Sequence, residues 1–232
     1  CREFEENKNP IISIDCKKKE KLGNFKNNGS EWTRKGKEEE IQVNAYDFTS
    51  LADGHIAPYG IYDVLKKKGF VNVGIDHDTA AFAVESIRRW WKEYGKKLYP
   101  FTTGILITAD GGGSNGVRNR LFKRELQKLV NEINIPITLC HYPPATSKWN
   151  VIEHQLFSFI SINWRAKPLT SLAVVLELIN HTTTKSGLTV TAVADTNKYQ
   201  TGIKISDQEL QQLNIIRDDF HGEWNYTAAP AL

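Results

Sequence analysis

The run GILITA at residues 104–109 stops abruptly at Asp110 and constrains the fold more than any other stretch. It is too short for a helix and lacks the polar alternation of a half-exposed strand, so it reads as a strand buried on both faces. Strands of that kind belong to α/β sheets. An acid at the carboxyl end of such a strand stands where open α/β sheets bind their ligands. The rest of the pattern supplies partners for this strand. IISIDC at 11–16 is a second short apolar strand, introduced by Asn9-Pro10, and 22–25 is expected to return beside it. Strands at 56–65 and 70–76 form a hairpin through a turn at Lys66, Lys67, Lys68 and Gly69.

Helical spacing predicts helices at 79–94, 117–133, 148–163 and 172–182. The first is capped by Asp78 and ended by Gly95, with Trp90 and Trp91 on its core side. A strand at 135–142 is stopped by Pro143-Pro144, and 189–194 and 203–205 are extended. Ser206 opens a capping box, S-D-Q-E, before a short helix. Residues 26–55, rich in Asn, Gly, Lys and Glu, make a long surface excursion. Three strands, helix, strand, helix, strand, helix is an α/β layout whose sheet begins antiparallel and ends parallel, as in a ribonuclease H-like mixed sheet flanked by helices. The expected division is a core at 1–182, carrying the excursion at 26–55, and a C-terminal extension at 183–232 packed on or next to it.

Composition narrows the function classes. With 232 residues, 40% hydrophobic and 25% charged, the chain is an ordinary globular one, large enough for a sizeable core. Its net charge of +3 is too small to name a partner. The longest apolar stretch, 172–179, carries Glu177 and is far short of a membrane span, so no membrane partner is expected. Three cysteines with no C-x-x-C pair argue against a disulfide framework and a zinc knuckle, and for a reducing cytoplasm. The chain has no methionine, and is expected to be a fragment whose start is not a translation start.

Three acids carry the chemistry. Asp15 lies within the first strand, Asp110 ends GILITA, and Glu153 sits one turn into the helix after HYPPATSKWNVIEH. The 42 residues between Asp110 and Glu153 suffice for a helix, a strand and a loop that return the third acid beside the second. Three such carboxylates repel one another, and a divalent cation relieves the repulsion. Mg²⁺ takes one or two carboxylates plus water and phosphate oxygens. Two such ions, about 3.5–4 Å apart, activate a nucleophile and stabilise the leaving oxygen of an in-line phosphoryl displacement.

These residues carry a resemblance. The segments NPIISIDCKKKEKLGNF, VGIDHDTAAFAVESIRRWW, LITADGGGSNGVRNRL, HYPPATSKWNVIEHQLFSFISINWRAKPL, TTTKSGL and FHGEWNY span most of the chain. They resemble the catalytic part of bacterial insertion-sequence transposases of the DDE type, most closely the Rhodopirellula-type DDE transposase family, relatives of the mariner-like group. The resemblance implies a ribonuclease H-like fold, two Mg²⁺ ions (Mn²⁺ as substitute), and Asp15, Asp110 and Glu153 as catalytic, metal-holding acids. It implies DNA as partner, a homo-oligomer acting on paired element ends, and a bacterial cytoplasmic, nucleoid-associated location. The Pro143, Pro144, Ser147, Asn150 signature precedes the third acid as in the wider group. Cys16 stands where Thr is usual, and its side chain is expected to face away from Asp15. Only 14 residues precede Asp15, so no helix-turn-helix precedes it, and the chain is expected to keep the chemistry and lack end recognition.

The neighbours of the acids complete the expected site. Gly111, Gly112 and Gly113 let a DNA backbone approach closely. Asn115 and Arg118 stand near the start of a helix, where backbone N–H groups favour phosphate. Lys17 shares the face of Asp15, and Asn150 the face of Glu153. Lys17, Asn115, Arg118, Lys148 and Asn150 are the expected nucleic-acid contacts. Trp149 is expected to be buried rather than stacked on a base, and Phe157 and Ile160 to be core. His141, His154 and Cys140 lack the partners of a zinc site. Asp76 is a strand-end acid and conceivable auxiliary ligand. The basic groups Arg34-Lys35-Lys37, Lys66 to Lys68, Arg88-Arg89 and Lys96-Lys97 make a phosphate-binding surface only if the fold gathers them. Three functions compete: DNA strand cleavage and transfer, a non-catalytic DNA-binding or oligomerisation module, and a structure-selective nuclease. A glycosidase, built on two carboxylates, does not call for three acids in this order.

Overall fold

The computed structural model describes residues 1–30, 32, 43–45, 52–143 and 145–231. In chain order its elements are α1 (Arg2–Glu6), β1 (Ile11–Cys16), β2 (Glu20–Leu22), β3 (Gly54–Asp63), β4 (Lys68–Gly74), α2 (Ala80–Trp90), α3 (Lys96–Leu98), β5 (Ile105–Ala109), α4 (Arg120–Ile133), β6 (Ile137–His141), α5 (Ser158–Asn163), α6 (Leu172–Asn180), β7 (Thr189–Asp195), α7 (Asp207–Gln211), β8 (Ile215–Arg217) and β9 (Asn225–Ala228). One mixed sheet runs in the order β7-β4-β3-β1-β5-β6-β9-β8, with β2 paired to β3. Within it, β4-β3-β1 is antiparallel and β1-β5-β6 parallel. This is the ribonuclease H-like arrangement expected from the order of strands and helices.

The two faces of the sheet are covered by different helices. On one side Ile12, Ile14, Tyr59, Ile61, Ile105 and Ile107 pack against α2 and α4, through Phe82, Ile87, Phe122, Leu126 and Leu129. On the other, Ile56, Tyr62, Val71 and Val73 meet Ile152, Leu156, Phe157 and Ile160, together with α6. Strand β5 is sandwiched as GILITA predicted. Phe157 and Ile160 are core, and so are Trp90 and Trp91.

Several boundaries differ from the sequence reading, each for a local reason. The hairpin turn lies at 64–67, two residues early, because the Asp63 carboxylate accepts hydrogen bonds from the backbone N–H groups of Leu65 (3.1 Å) and Lys66 (2.9 Å). Thr79, not Asp78, caps α2, accepting from Phe82 N at 3.2 Å. Gly95 does not end that helix. It closes a π-helical turn, Trp91–Gly95, that leads into α3. The helix expected at 148–163 is broken into a 3₁₀ turn at Ser147–Trp149, a π-helical turn at Glu153–Phe157 and α5. The returning strand is β2, which starts two residues before and ends three residues before the expected 22–25, and Phe25 takes part in an isolated bridge to Asn44. No strand forms at 203–205. The Ser206–Glu209 capping box is present on α7.

After residue 182, β7 joins one edge of the sheet beside β4, and β8 and β9 extend the other edge beside β6. The excursion at 26–55 lies largely outside the described residues, as do Arg34, Lys35, Lys37 and Pro144. No helix among the described residues is long and apolar enough to cross a membrane.

Candidate active site at the carboxyl ends of β1 and β5

Strands β1 and β5 are parallel neighbours, with Ile14 opposite Ala109, so Asp15 and Asp110 emerge side by side at the same end of the sheet. Alternation sends Asp15 to the face that carries the Glu153 turn. Gly60 pairs with Asp15 across the β1–β3 ladder. A Cβ there would come within 2.5 Å of Phe157 and 2.9 Å of Ile152. Glycine at 60 therefore lets the segment bearing Glu153 lie directly on the strand beside Asp15.

Asn150 anchors that segment. It is wholly buried. Its Oδ1 accepts from Ser13 Oγ at 2.5 Å, and its Nδ2 donates to Ile14 O at 3.2 Å. Its side chain also hydrogen-bonds the Asp110 carboxylate. Ser13 Oγ in turn accepts from Ile152 N at 3.2 Å. A single amide thus ties β1, the acid after β5 and the Glu153 turn together. It cannot also reach a nucleic acid, which corrects the expected DNA contact. Glu153 begins a π-helical turn, an irregularity common at functional sites.

The acids interact as a chain with Asp15 at its centre. Burial pushes the Asp15 carboxyl up to about 7, opposed by the Cys16 N–H and reinforced by the charges of Asp110 and Glu153 and a hydrogen bond to Glu153. The Cys16 N–H donates at 2.7 Å. Asp110 is also raised by burial, and its Oδ1 is buried with no partner. Among the described residues no three acid, imidazole or thiol groups are already closed around a common point. The donor chemistry nonetheless suits a hard divalent cation: carboxyl oxygens only, one of them orphaned.

Other expected residues fall into two groups. Arg118 and Lys148 are exposed and have no ion pair among the described residues. Arg118 lines a groove of about 720 Å³ that also contains Asp15, Asp110, Gly112 and Gly113. No atom lies within 4 Å of a Cβ built on Gly112 or Gly113, so packing does not demand their lack of a side chain. Gly113 alone needs glycine for its backbone, with φ +70°.

Lys17 shares the face of Asp15, as alternation requires, but it is engaged by Glu20 at 3.6 Å and by the Trp164 ring at 4.8 Å. Asn115 is buried and donates to Asp110 O at 3.4 Å, so it shapes the loop rather than presenting itself to DNA. Helix α4 starts at Arg120, with Asn119 as its cap, three residues later than expected. Trp149 is 58% exposed, against the expectation of burial, because it precedes the helical turn that packs on the sheet. Ser13, Gly60 and Trp224 were not singled out in the sequence reading. Their importance depends on what lies across the ladder or the groove, which local patterns do not reveal.

The remaining sequence candidates are structural. His141 is buried, with its two ring nitrogens 2.9 Å from the carbonyl oxygens of Trp224 and Asn115, and burial holds its pKa below the usual imidazole range. Asp76 accepts from Tyr199 N at 2.7 Å and lies 2.8 Å from His77 Nδ1, so it is no auxiliary ligand. Cys16 does face away from Asp15. It pairs with Tyr59 in the ladder and lies beside Asp78 on the opposite face. Among the described residues, which leave out Arg34, Lys35 and Lys37, the basic groups do not gather. Arg88 is paired with Glu85 and Glu132, Arg89 with Glu85 and Asp195, and Lys66 to Lys68 sit at the far end of β3 from the acids.

A family model described as "Rhodopirellula transposase DDE domain" matches residues 1–230. The chain belongs to this family. No curated protein matches the sequence. Among solved structures, a chain of the simian T-cell lymphotropic virus intasome in complex with PP2A regulatory subunit B56 gamma is 14% identical, with a TM-score of 0.35. The match covers 77% of this chain and 52% of that one, so the chain spans about half its length. Membership of a DDE transposase family gives the two acids at this sheet end and the nearby Glu153 turn their context.

Proposed function

We propose that the chain is a DDE transposase catalytic domain that performs metal-dependent phosphodiester hydrolysis and strand transfer on insertion-sequence DNA. The observation that carries this reading is the acid cluster at one end of the sheet: Asp15 emerges beside Asp110, whose Oδ1 has no partner, and the turn that bears Glu153 packs over Gly60 next to Asp15. Asp15, Asp110 and Glu153 are the residues that would hold Mg²⁺ or Mn²⁺. The bound ions would supply Lewis-acid activation of the attacking oxygen and stabilisation of the leaving one.

The chain's own residues set up this chemistry. Asp15, pushed up to about 7 by burial, must lose its proton before it can serve as an anionic ligand. Asn150 orients Asp110 and holds the Glu153 turn on β1. Gly112 and Gly113 leave the groove wall open for a sugar-phosphate backbone, and Arg118 and Lys148 supply positive charge. Hydrolysis frees a 3′-hydroxyl, which then attacks target DNA. Each transfer step exchanges one phosphodiester for another, so no energy cofactor is needed. The partner is DNA, the working form a homo-oligomer on paired ends, and the setting the bacterial cytoplasm at the nucleoid.

Nicking of element-end DNA in Mn²⁺ tests this reading. The parent chain should nick and Asp110→Asn should fall to background. An Asp110→Asn variant that cuts as well as the parent contradicts the assignment. DNA binding without cutting under any metal would favour a binding module instead.

A further inference from the structure

Beside the acids, the turn between β8 and β9 carries an aromatic ladder that the chemistry above does not use. Trp224 lines the same groove as Asp15 and Asp110. The His221 ring stacks on it, with centroids 4.9 Å apart and planes 20° apart. Phe220 meets His221 edge-on at 4.5 Å and is 71% exposed.

The turn is held rigid by its own hydrogen bonds. Trp224 N and Asn225 N donate to His221 O at 2.8 and 2.9 Å, and Asn225 Nδ2 donates to Phe220 O at 2.9 Å. His221 has a left-handed φ of 51°, and a Cβ on Gly222 would lie 2.5 Å from Asp218 O. The carbonyl of Trp224 receives the His141 N–H at 3.2 Å and faces its ring nitrogen at 2.9 Å. His141 ends β6, directly beside Ala109 on β5. The ladder is therefore fixed relative to Asp110 through two short links.

We propose that Trp224, backed by His221 and Phe220, is a stacking platform for an unpaired nucleobase next to the scissile phosphate. This rests on the DNA-processing reading above and adds a substrate preference, namely DNA with an unpaired base beside the cut. Charge decides that the platform holds a base and not a phosphate. Asp218, Asp219 and Glu223 outnumber Arg217 on this turn, with Glu223 3.0 Å from His221 Nδ1 and Arg217 on the Gly222 carbonyl, so the turn disfavours a backbone, while the aromatic faces accept any base. The phosphates run along the opposite wall, where Arg118 is exposed and Gly112 and Gly113 leave room. A rigid platform loses little freedom when a base stacks on it.

Binding in chelator tests the platform without cutting. The probes are a duplex with a three-nucleotide unpaired flap carrying 2-aminopurine, and a fully paired duplex of the same length. The parent chain should bind the flap probe more tightly and quench its emission. Trp224→Ala should weaken flap binding about 10-fold and leave duplex binding unchanged, since stacking a base on one aromatic side chain is worth about 5- to 150-fold in affinity. Trp224→Phe should restore most of the preference. Phe220→Ala, at an exposed position that cannot disturb the core, should give a smaller loss on the flap probe only. Equal affinity of the parent for both probes, or equal losses on both with Trp224→Ala, overturns the platform and leaves the catalytic reading standing. No binding of either probe overturns both.

Discussion

Two acid sites, one buried and one half-buried, lie on the same sheet and are treated in opposite ways. Asp195, at the end of β7, is wholly buried and fully partnered. Arg89 pairs with it at 3.1 Å, Asn72 Nδ2 donates at 3.0 Å, and the Tyr199 hydroxyl donates at 2.7 Å. Among the described residues Asp15 and Asp110 form no ion pair with a Lys, Arg or His side chain. Asp15 faces two further acids, and Asp110 keeps an orphaned oxygen. Burying a charge is costly unless it is paired. At Asp195 the chain supplies the pair and gains a fastened edge strand. At β1 and β5 it supplies repulsion, and something outside the chain must complete the site. The contrast separates an acid that holds the fold from acids that wait for a ligand.

The comparison breaks most sharply under substitution. Asp110→Asn should reduce cutting of DNA to background while leaving the thermal midpoint unchanged or higher. Arg89→Met should do the reverse. It strands Asp195 and should lower stability by about 3–5 kcal/mol, measured by urea unfolding, with the remaining folded protein still active. Loss of activity in proportion to the acid site, with no loss of stability, would mean that Arg89 is not the structural partner proposed.

A finer test uses pH. The Asp15 carboxyl is held near 7 in the folded chain against an ordinary 3.8. Between those values the folded state binds a proton that the unfolded state has released, so stability falls as pH rises from about 4 to about 7 and is level above. Asp15→Asn removes this loss. It should stabilise the metal-free chain by about 1–4 kcal/mol at pH 8 and by little at pH 4. An equal effect at both pH values would show that Asp15 is not held protonated.

Three smaller changes sharpen the geometry. Asn150→Ala should cost about 10- to 100-fold in metal affinity or cutting, as removal of a group that orients metal ligands does. Gly60→Ala forces Phe157 and Ile152 off the strand, and should cost about 1–3 kcal/mol together with activity. Gly112→Ala should leave stability within about 0.5 kcal/mol and weaken DNA binding, because its Cβ enters the groove and not the core.

Much of this was legible in the sequence, for identifiable reasons. Short apolar runs bounded by Asp15 and Asp110 marked β1 and β5, because a buried strand needs no partner to announce itself. The parallel pairing of these strands brings the two acids together without further information. What local pattern could not reveal was set by contacts across the sheet. Gly60 matters because Asp15 lies opposite it. Asn115 and Asn150 sit in polar-looking sequence yet are buried by long-range hydrogen bonds. Asp63 moved a turn by capping it. The strands β8 and β9 are three and four residues long, too short to show alternation, so the wall of the groove that holds Trp224 was invisible from sequence. Trp149 was misjudged because tryptophan is usually buried, and its exposure follows from where the helical turn begins.

The central claim is that Asp15, Asp110 and Glu153 await a divalent cation. Calorimetric titration of the metal-free chain with Mn²⁺ at pH 8 tests it most directly. The account predicts saturable binding that is lost in Asp110→Asn and Glu153→Gln, retained in Arg89→Met, and weaker at pH 6, where Asp15 holds its proton. Absence of binding at millimolar Mn²⁺, or binding that these acid substitutions leave unchanged, would contradict it.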